Sequence, residues 1–77
     1  MQIEEHHSAA STQYELAAKF YKSAHEYHLI GENEKSAFEI QKAQSHHKKA
    51  DFHMNEIFKL NNVLNSTYSE TFQNAKV

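Results

Sequence analysis

The scarcity of helix-breaking residues constrains the fold of this chain more than any other feature of its sequence. In 77 residues there is no proline and one glycine, Gly31. Because proline and glycine are the residues that disfavour a helix interior, nothing away from position 31 forces the backbone out of a helix. We therefore expect a helix at about 3–30, a turn at 31–33 and a helix at about 34–64. Gly31 suits the left-handed residue that closes the first helix, and Asn33 suits the cap of the second.

Small and apolar residues recur at heptad spacing along both predicted helices. Alanine returns every seven residues on the first helix, with aromatic residues in the neighbouring rows. On the second helix, steps of three and four residues link an apolar series from Ile40 to Leu64. This pattern predicts a seam that serves the hairpin core and a dimer interface. Its residues are Ala17, Phe20, Tyr21, Ala24, Tyr27, Ile40, Ala43, His47, Ala50, Met54, Ile57 and Leu64.

The short connection between the helices predicts an all-α antiparallel two-helix hairpin that occupies residues 1–64 as one domain. Two helices cannot cover both sides of such wide faces, so we expect two hairpins to form a homodimeric four-helix bundle. With the turn near residue 32, the numbers of facing residues should add to about 64. Residues 65–77 are rich in Asn, Ser and Thr and are expected to form a short third helix or a disordered tail.

Composition and charge exclude several classes of function. The absence of cysteine excludes a disulfide scaffold, a zinc ribbon and a redox dithiol. A formal net charge of −2 argues against a nucleic-acid partner. The sequence contains no run of 18 apolar residues, the length that a membrane-spanning helix requires. The N-terminus lacks the pattern of a secretory signal, so we expect a cytoplasmic protein. No arrangement of a catalytic nucleophile is visible, and we expect no enzymatic activity.

Seven histidines stand out in a chain of this length. Imidazole binds Zn, Cu and Ni, so one hypothesis is a transition-metal site. Its candidate ligands are His25, His28, His46, His47, Asp51 and His53. The expected register spreads these side chains along the hairpin instead of gathering three or four of them. The alternative interpretation places His47 and His28 at the edge of the core, bonded to tyrosine hydroxyls, and the other histidines on the solvated surface.

The segment AAKFYKSAHEYH at 17–28, followed by GENEKSA at 31–37, resembles a family of small, His-rich bacterial proteins. The resemblance covers roughly residues 14–58 and implies a helical hairpin without an assigned activity. No functional residue carries over. The chain has Phe20, Tyr21 and Tyr27 where many members have histidine, which weakens the metal hypothesis. The turn is also similar to those of tetratricopeptide-repeat and MIT-type hairpins, although repeat helices are short and need stacked neighbours.

Taken together, these patterns predict a non-enzymatic helical interaction or scaffold protein that self-associates and needs no cofactor. Two alternatives stay open at this point. One is a protein that binds or buffers transition metals through histidine. The other is a helical adaptor that binds peptides in the manner of the repeat and MIT-type hairpins.

Overall fold

The fold is an all-α hairpin of two helices. The computed structural model describes the backbone of residues 2–64 and the side chains of residues 2–61. Helix α1 spans Ile3–Leu29 and helix α2 spans Asn33–Leu64, and the two are in contact as an antiparallel pair. The expected third helix or tail at 65–77 and the side chain of Leu64 lie outside the described residues.

The start of α1 is fixed by a backbone hydrogen bond to a glutamate one turn into the helix. The backbone N–H of Gln2 donates to Oε1 of Glu5 at 2.9 Å, which satisfies a group that the helix itself leaves unbonded. Glu4 and Glu5 lie in the first turn and His28 in the last. This arrangement of charge and imidazole suits the positive N-terminal and negative C-terminal ends of the helix dipole.

The connection between the helices is closed by Gly31, which has a φ of +79°. Its N–H donates to the carbonyl of His28 at 3.1 Å, and the N–H of Glu32 donates to that of Tyr27 at 2.9 Å. These two bonds form a Schellman motif, so the predicted role of Gly31 is confirmed. Asn33 is the first residue of α2 and not its cap, because the carbonyl of Glu32 already accepts the N–H of Ser36 at 2.9 Å.

The core between the helices is made almost entirely of alanine. The buried apolar residues, all 0–4% exposed, are Ala10, Ala17, Ala24, Ala43, Ala50 and Ile57. Side chains this small let two helices approach to the short end of the usual 8–10 Å range. Consistent with a close approach, the Ser36 hydroxyl crosses the seam and donates to the backbone carbonyl of Ala24 at 2.8 Å. No large side chain in the described part of the chain is fully buried.

The register of the two helices differs from the expected one. Contacts across the seam join Ser36 to Ala24 and His53 to His6, so facing residue numbers add to 59 or 60 and not to about 64. The offset amounts to about one helical turn. It arises because the chain reverses around residues 30–32, where the Schellman motif starts the return path earlier than a turn centred on residue 32.

Three predicted seam residues do not belong to the core of the hairpin. Tyr21 and Ile40 are 41% and 38% exposed, and the side chain of His47 is 49% exposed. The row that faces α1 lies one position earlier on α2 and contains His46 and His53. Phe20, Tyr27 and Met54 are half-buried at the border of the seam.

Candidate functional site: the polar row of the helix seam

A second row of side chains follows the alanines along the seam, and it is mainly polar. On both helices its members recur every seven residues, which keeps them on one face. The row, called the polar row below, consists of His6, Gln13, Phe20 and Tyr27 on α1 and of Glu39, His46, His53 and Leu60 on α2. All of these side chains are at least half-buried. Because buried polar groups are costly without partners, this row specifies how the helices pair.

His6 and His53 meet near the open end of the hairpin. Their Nδ1 atoms lie 2.9 Å apart and their ring centroids 5.2 Å apart, although the residues are 47 positions apart in sequence. His6 is only 7% exposed. A hydrogen bond between two Nδ1 atoms requires that one ring donates and the other accepts. The ring of Phe52 makes a T-shaped contact with the ring of His53, with a centroid distance of 5.2 Å.

His46 is held about two turns further along the seam by two residues of α1. Its Nδ1 lies 2.6 Å from Oε1 of Gln13, and because that oxygen only accepts, the Nδ1–H of His46 donates. The ring of Phe20 stacks on His46 with a centroid distance of 5.5 Å and an angle of 8°. These contacts fix the ring, so His46 has a structural role in the pairing of the helices.

Glu39 brings a carboxylate into the seam near the turn. Its Oε1 lies 3.6 Å from Nζ of Lys42, while its buried Oε2 has no hydrogen-bond partner among the described residues. The Lys42 ammonium also lies over the rings of Phe38 and Phe20, at 4.7 and 5.3 Å from their centroids. The Lys42 ammonium therefore forms an ion pair with Glu39 and cation–π contacts with two aromatic rings.

On one flank of the seam, Tyr14 bridges the two helices. Its hydroxyl donates to Oδ1 of Asp51 at 3.1 Å, and its ring contacts the edge of His47 at 5.9 Å. Desolvation by burial, the hydrogen bond to Asp51 and the charge of Asp51 together raise the pKa of Tyr14 above its ordinary value of 10. On α2, Nε2 of His47 lies 3.6 Å from Oδ1 of Asp51, which is one turn further along the helix. We expected His47 to bond a tyrosine hydroxyl; instead, its ring contacts the ring of Tyr14.

This flank, called the tyrosine face below, contains two heptad rows without a formally charged residue. The rows are His7, Tyr14, Tyr21 and His28 on α1 and Ile40, His47, Met54 and Asn61 on α2. The contact between Tyr14 and His47 places the two rows side by side. Tyr21 lines a surface groove here together with Gln44, His47, Lys48 and Asp51. The two rows thus present tyrosine, isoleucine, methionine, histidine and asparagine side chains without a formal charge, and the charged Lys48 and Asp51 border them.

The six candidate metal ligands do not form one site. His25 and His28 are exposed, His46 is bonded to Gln13, and His53 is paired with His6, which the sequence analysis assigned to the surface. No three His, Asp or Glu side chains converge on a metal-sized space within the described residues. One sequence pattern could have indicated that His6 is buried in the pair with His53. His6 and Gln13 are seven residues apart and follow the heptad series of alanines on α1.

Neither α1 nor the described part of α2 has the length and apolar content that a membrane-spanning helix requires. No protein-family model, curated protein or solved structure matches the chain.

Proposed function

We propose that this chain is a non-enzymatic self-association module in which two hairpins pack through their tyrosine faces into a four-helix bundle. The observation that carries the proposal is the mismatch between the core and the remaining apolar surface. Among the residues whose side chains the structure describes, the buried apolar ones are five alanines and one isoleucine. Tyr14, Tyr21, Ile40 and Phe58 are 38–59% exposed on or beside the tyrosine face.

A core of this kind gives a single hairpin little stability. The hydrophobic contribution scales with the apolar area removed from water, and an alanine side chain supplies one methyl group. Chains of 70–80 residues already have little core to spare, and many natural ones gain stability by association. Packing a second hairpin on the tyrosine face buries the aromatic and aliphatic side chains that the first hairpin leaves half-exposed.

The distribution of charge favours the tyrosine face over the opposite flank as the contact surface. Protein interfaces are depleted of charge at their centre and enriched in aromatic residues and methionine. The tyrosine face matches this composition, because its two rows carry no Lys, Asp or Glu. On the opposite flank, called the lysine flank below, α2 presents Lys35, Lys42, Lys49 and Glu56 at seven-residue intervals. A contact there would remove several formal charges from water, which is costly.

The proposal is tested by the mass of the untagged chain in solution. We expect light scattering after gel filtration to give about 18 kDa, twice the chain mass of 9.0 kDa, with dissociation on dilution. A folded, monodisperse species of one chain mass at every concentration contradicts the proposal. That result would instead support the alternative of a peptide-binding adaptor that meets a different protein.

Charged substitutions identify the contact surface. We expect Ile40→Asp on the tyrosine face to shift the equilibrium to monomer, because a buried unpaired carboxylate is costly. Phe38→Asp is the matched control, since Phe38 is 58% exposed and lies on the lysine flank. It should leave the dimer intact. The reverse result, a monomer with Phe38→Asp and a dimer with Ile40→Asp, places the contact on the other flank and contradicts the assignment to the tyrosine face.

A further inference from the structure

The pairing of His6 and His53 supports an inference that is independent of self-association. We propose that these two side chains form a chelating site for a divalent transition-metal ion, with Cu(II) preferred, and that the ion clamps the open end of the hairpin. The site belongs to the polar row between α1 and α2 and not to the tyrosine face. Its ligands differ from the histidine set that sequence spacing suggested, because His6 enters only through the tertiary fold.

The distance between the two nitrogens fits a particular coordination geometry. Metal–imidazole bonds measure about 2.0–2.1 Å. Two ligands at that distance and at 90° to each other have their nitrogens about 2.9 Å apart, whereas tetrahedral ligands are separated by about 3.3–3.4 Å. The observed separation of the Nδ1 atoms of His6 and His53 is 2.9 Å. It matches neighbouring positions in the tetragonal or square-planar coordination typical of Cu(II) and Ni(II).

The site needs little rearrangement to accept an ion. In the present contact one ring donates its Nδ1–H to the Nδ1 of the other. For both Nδ1 atoms to bind an ion as neutral imidazoles, the donating ring changes tautomer: its Nδ1 proton is lost to water and its Nε2 takes up a proton from water. Rotation of the rings about χ2, a soft torsion in histidine, turns both lone pairs toward a common point. No third His, Asp or Glu converges here within the described residues, so water completes the coordination.

The position of the pair gives metal binding a structural consequence. Near the turn, the Schellman motif and the Ser36 hydroxyl hold the helices together. His6 and His53 lie toward the other end, and a metal bridge between them closes a long segment of chain. Because the paired helices hold both nitrogens together, the ion binds them more tightly than the separated ones and shifts the folding equilibrium toward the hairpin. At a free metal concentration 100 times the Kd, the ratio of folded to unfolded chains rises by up to roughly 100-fold, and by less where the unfolded chain also binds the ion.

The experiment compares untagged wild-type chain with His6→Gln, His53→Gln and His25→Gln. Each is titrated with CuCl2, NiCl2 and ZnCl2 at one protein concentration, and thermal unfolding is followed by circular dichroism. His25→Gln is the matched control, because His25 is an exposed histidine of α1 outside both the polar row and the tyrosine face. We expect one Cu(II) per chain to raise the Tm of the wild type and of His25→Gln, with Cu(II) more effective than Ni(II) and Zn(II). Either pair variant should bind copper at least about tenfold more weakly and lose the rise in Tm.

A spectroscopic measurement on the wild type covers the case in which a pair variant fails to fold. Electron paramagnetic resonance of the Cu(II) complex should show two equivalent imidazole nitrogens per ion, and paramagnetic broadening in NMR should centre on His6 and His53. Three results overturn the proposal: no binding, an equal rise in Tm in His6→Gln and the wild type, or broadening centred on exposed histidines such as His25. A monomeric wild type that still binds copper through the pair would contradict self-association alone.

Discussion

Enlarging one alanine of the seam gives the sharpest test of the close approach of the helices. Ala43 on α2 is 0% exposed and belongs to the alanine core of the seam, together with Ala17 and Ala24 on α1. Ala43→Leu adds three carbon atoms where there is no space for them. Inserting methylenes into a packed core costs about 1–3 kcal/mol, and wider spacing also weakens the bond from Ser36 to Ala24, worth about 1 kcal/mol. We expect the free energy of unfolding to fall by about 3 kcal/mol.

The measurement is urea unfolding followed by circular dichroism at a fixed protein concentration. For an m-value of about 2 kcal/mol/M, a loss of about 3 kcal/mol lowers the midpoint by about 1.5 M. Ala37→Leu is the control, because it makes the same change at an exposed position of α2. Leucine and alanine have similar helix propensities, so the control should change stability by no more than about 0.5 kcal/mol. If Ala43→Leu is as stable as Ala37→Leu, the helices are not packed closely enough at Ala43 to exclude a larger side chain, and the reasoning fails.

Two further predictions concern the turn and the tyrosine face. Gly31→Ala should lower the free energy of unfolding in urea by about 1–2 kcal/mol, because alanine disfavours the positive φ of this position. No atom lies within 4 Å of the added Cβ, so a steric clash does not contribute. An unchanged midpoint would contradict this explanation. The raised pKa of Tyr14 means that its hydrogen-bonded phenol contributes stability below pH 10, where it is protonated in both states, and loses it as the pH rises through the folded-state pKa. The difference in tyrosinate absorbance between wild type and Tyr14→Phe should therefore titrate above pH 10, and Asp51→Asn should lower that midpoint; a difference centred at or below 10 would refute the contact.

The identity and extent of the helices could be predicted from the sequence because their causes are local. Helix-forming residues fill both segments, and within residues 2–64 only Gly31 adopts a backbone conformation that other residues avoid. The seven-residue recurrence of alanine likewise marked Ala17, Ala24, Ala43 and Ala50, which the structure buries. These features follow from intrinsic propensity and from periodicity, both of which can be read without knowing what lies opposite.

The second row of the seam required the tertiary structure. On α2, the row of Ile40 and His47 and the row of His46 and His53 lie on either side of the same alanines, and hydrophobicity favours the first. The structure selects the second, because its members meet hydrogen-bonding or stacking partners on α1: His6 for His53, and Gln13 with Phe20 for His46.

Such a choice depends on the register between two helices, and the contact from His6 to His53 joins residues 47 positions apart. Local pattern contains no information about which side chains face each other over that distance. Two long helices and a reversal at Gly31 were therefore determined by the sequence alone. The packing of the two helices determined that a pair of imidazoles lies in the seam and that the tyrosine face lies outside it. Only the relative placement of the helices sets which polar groups find partners.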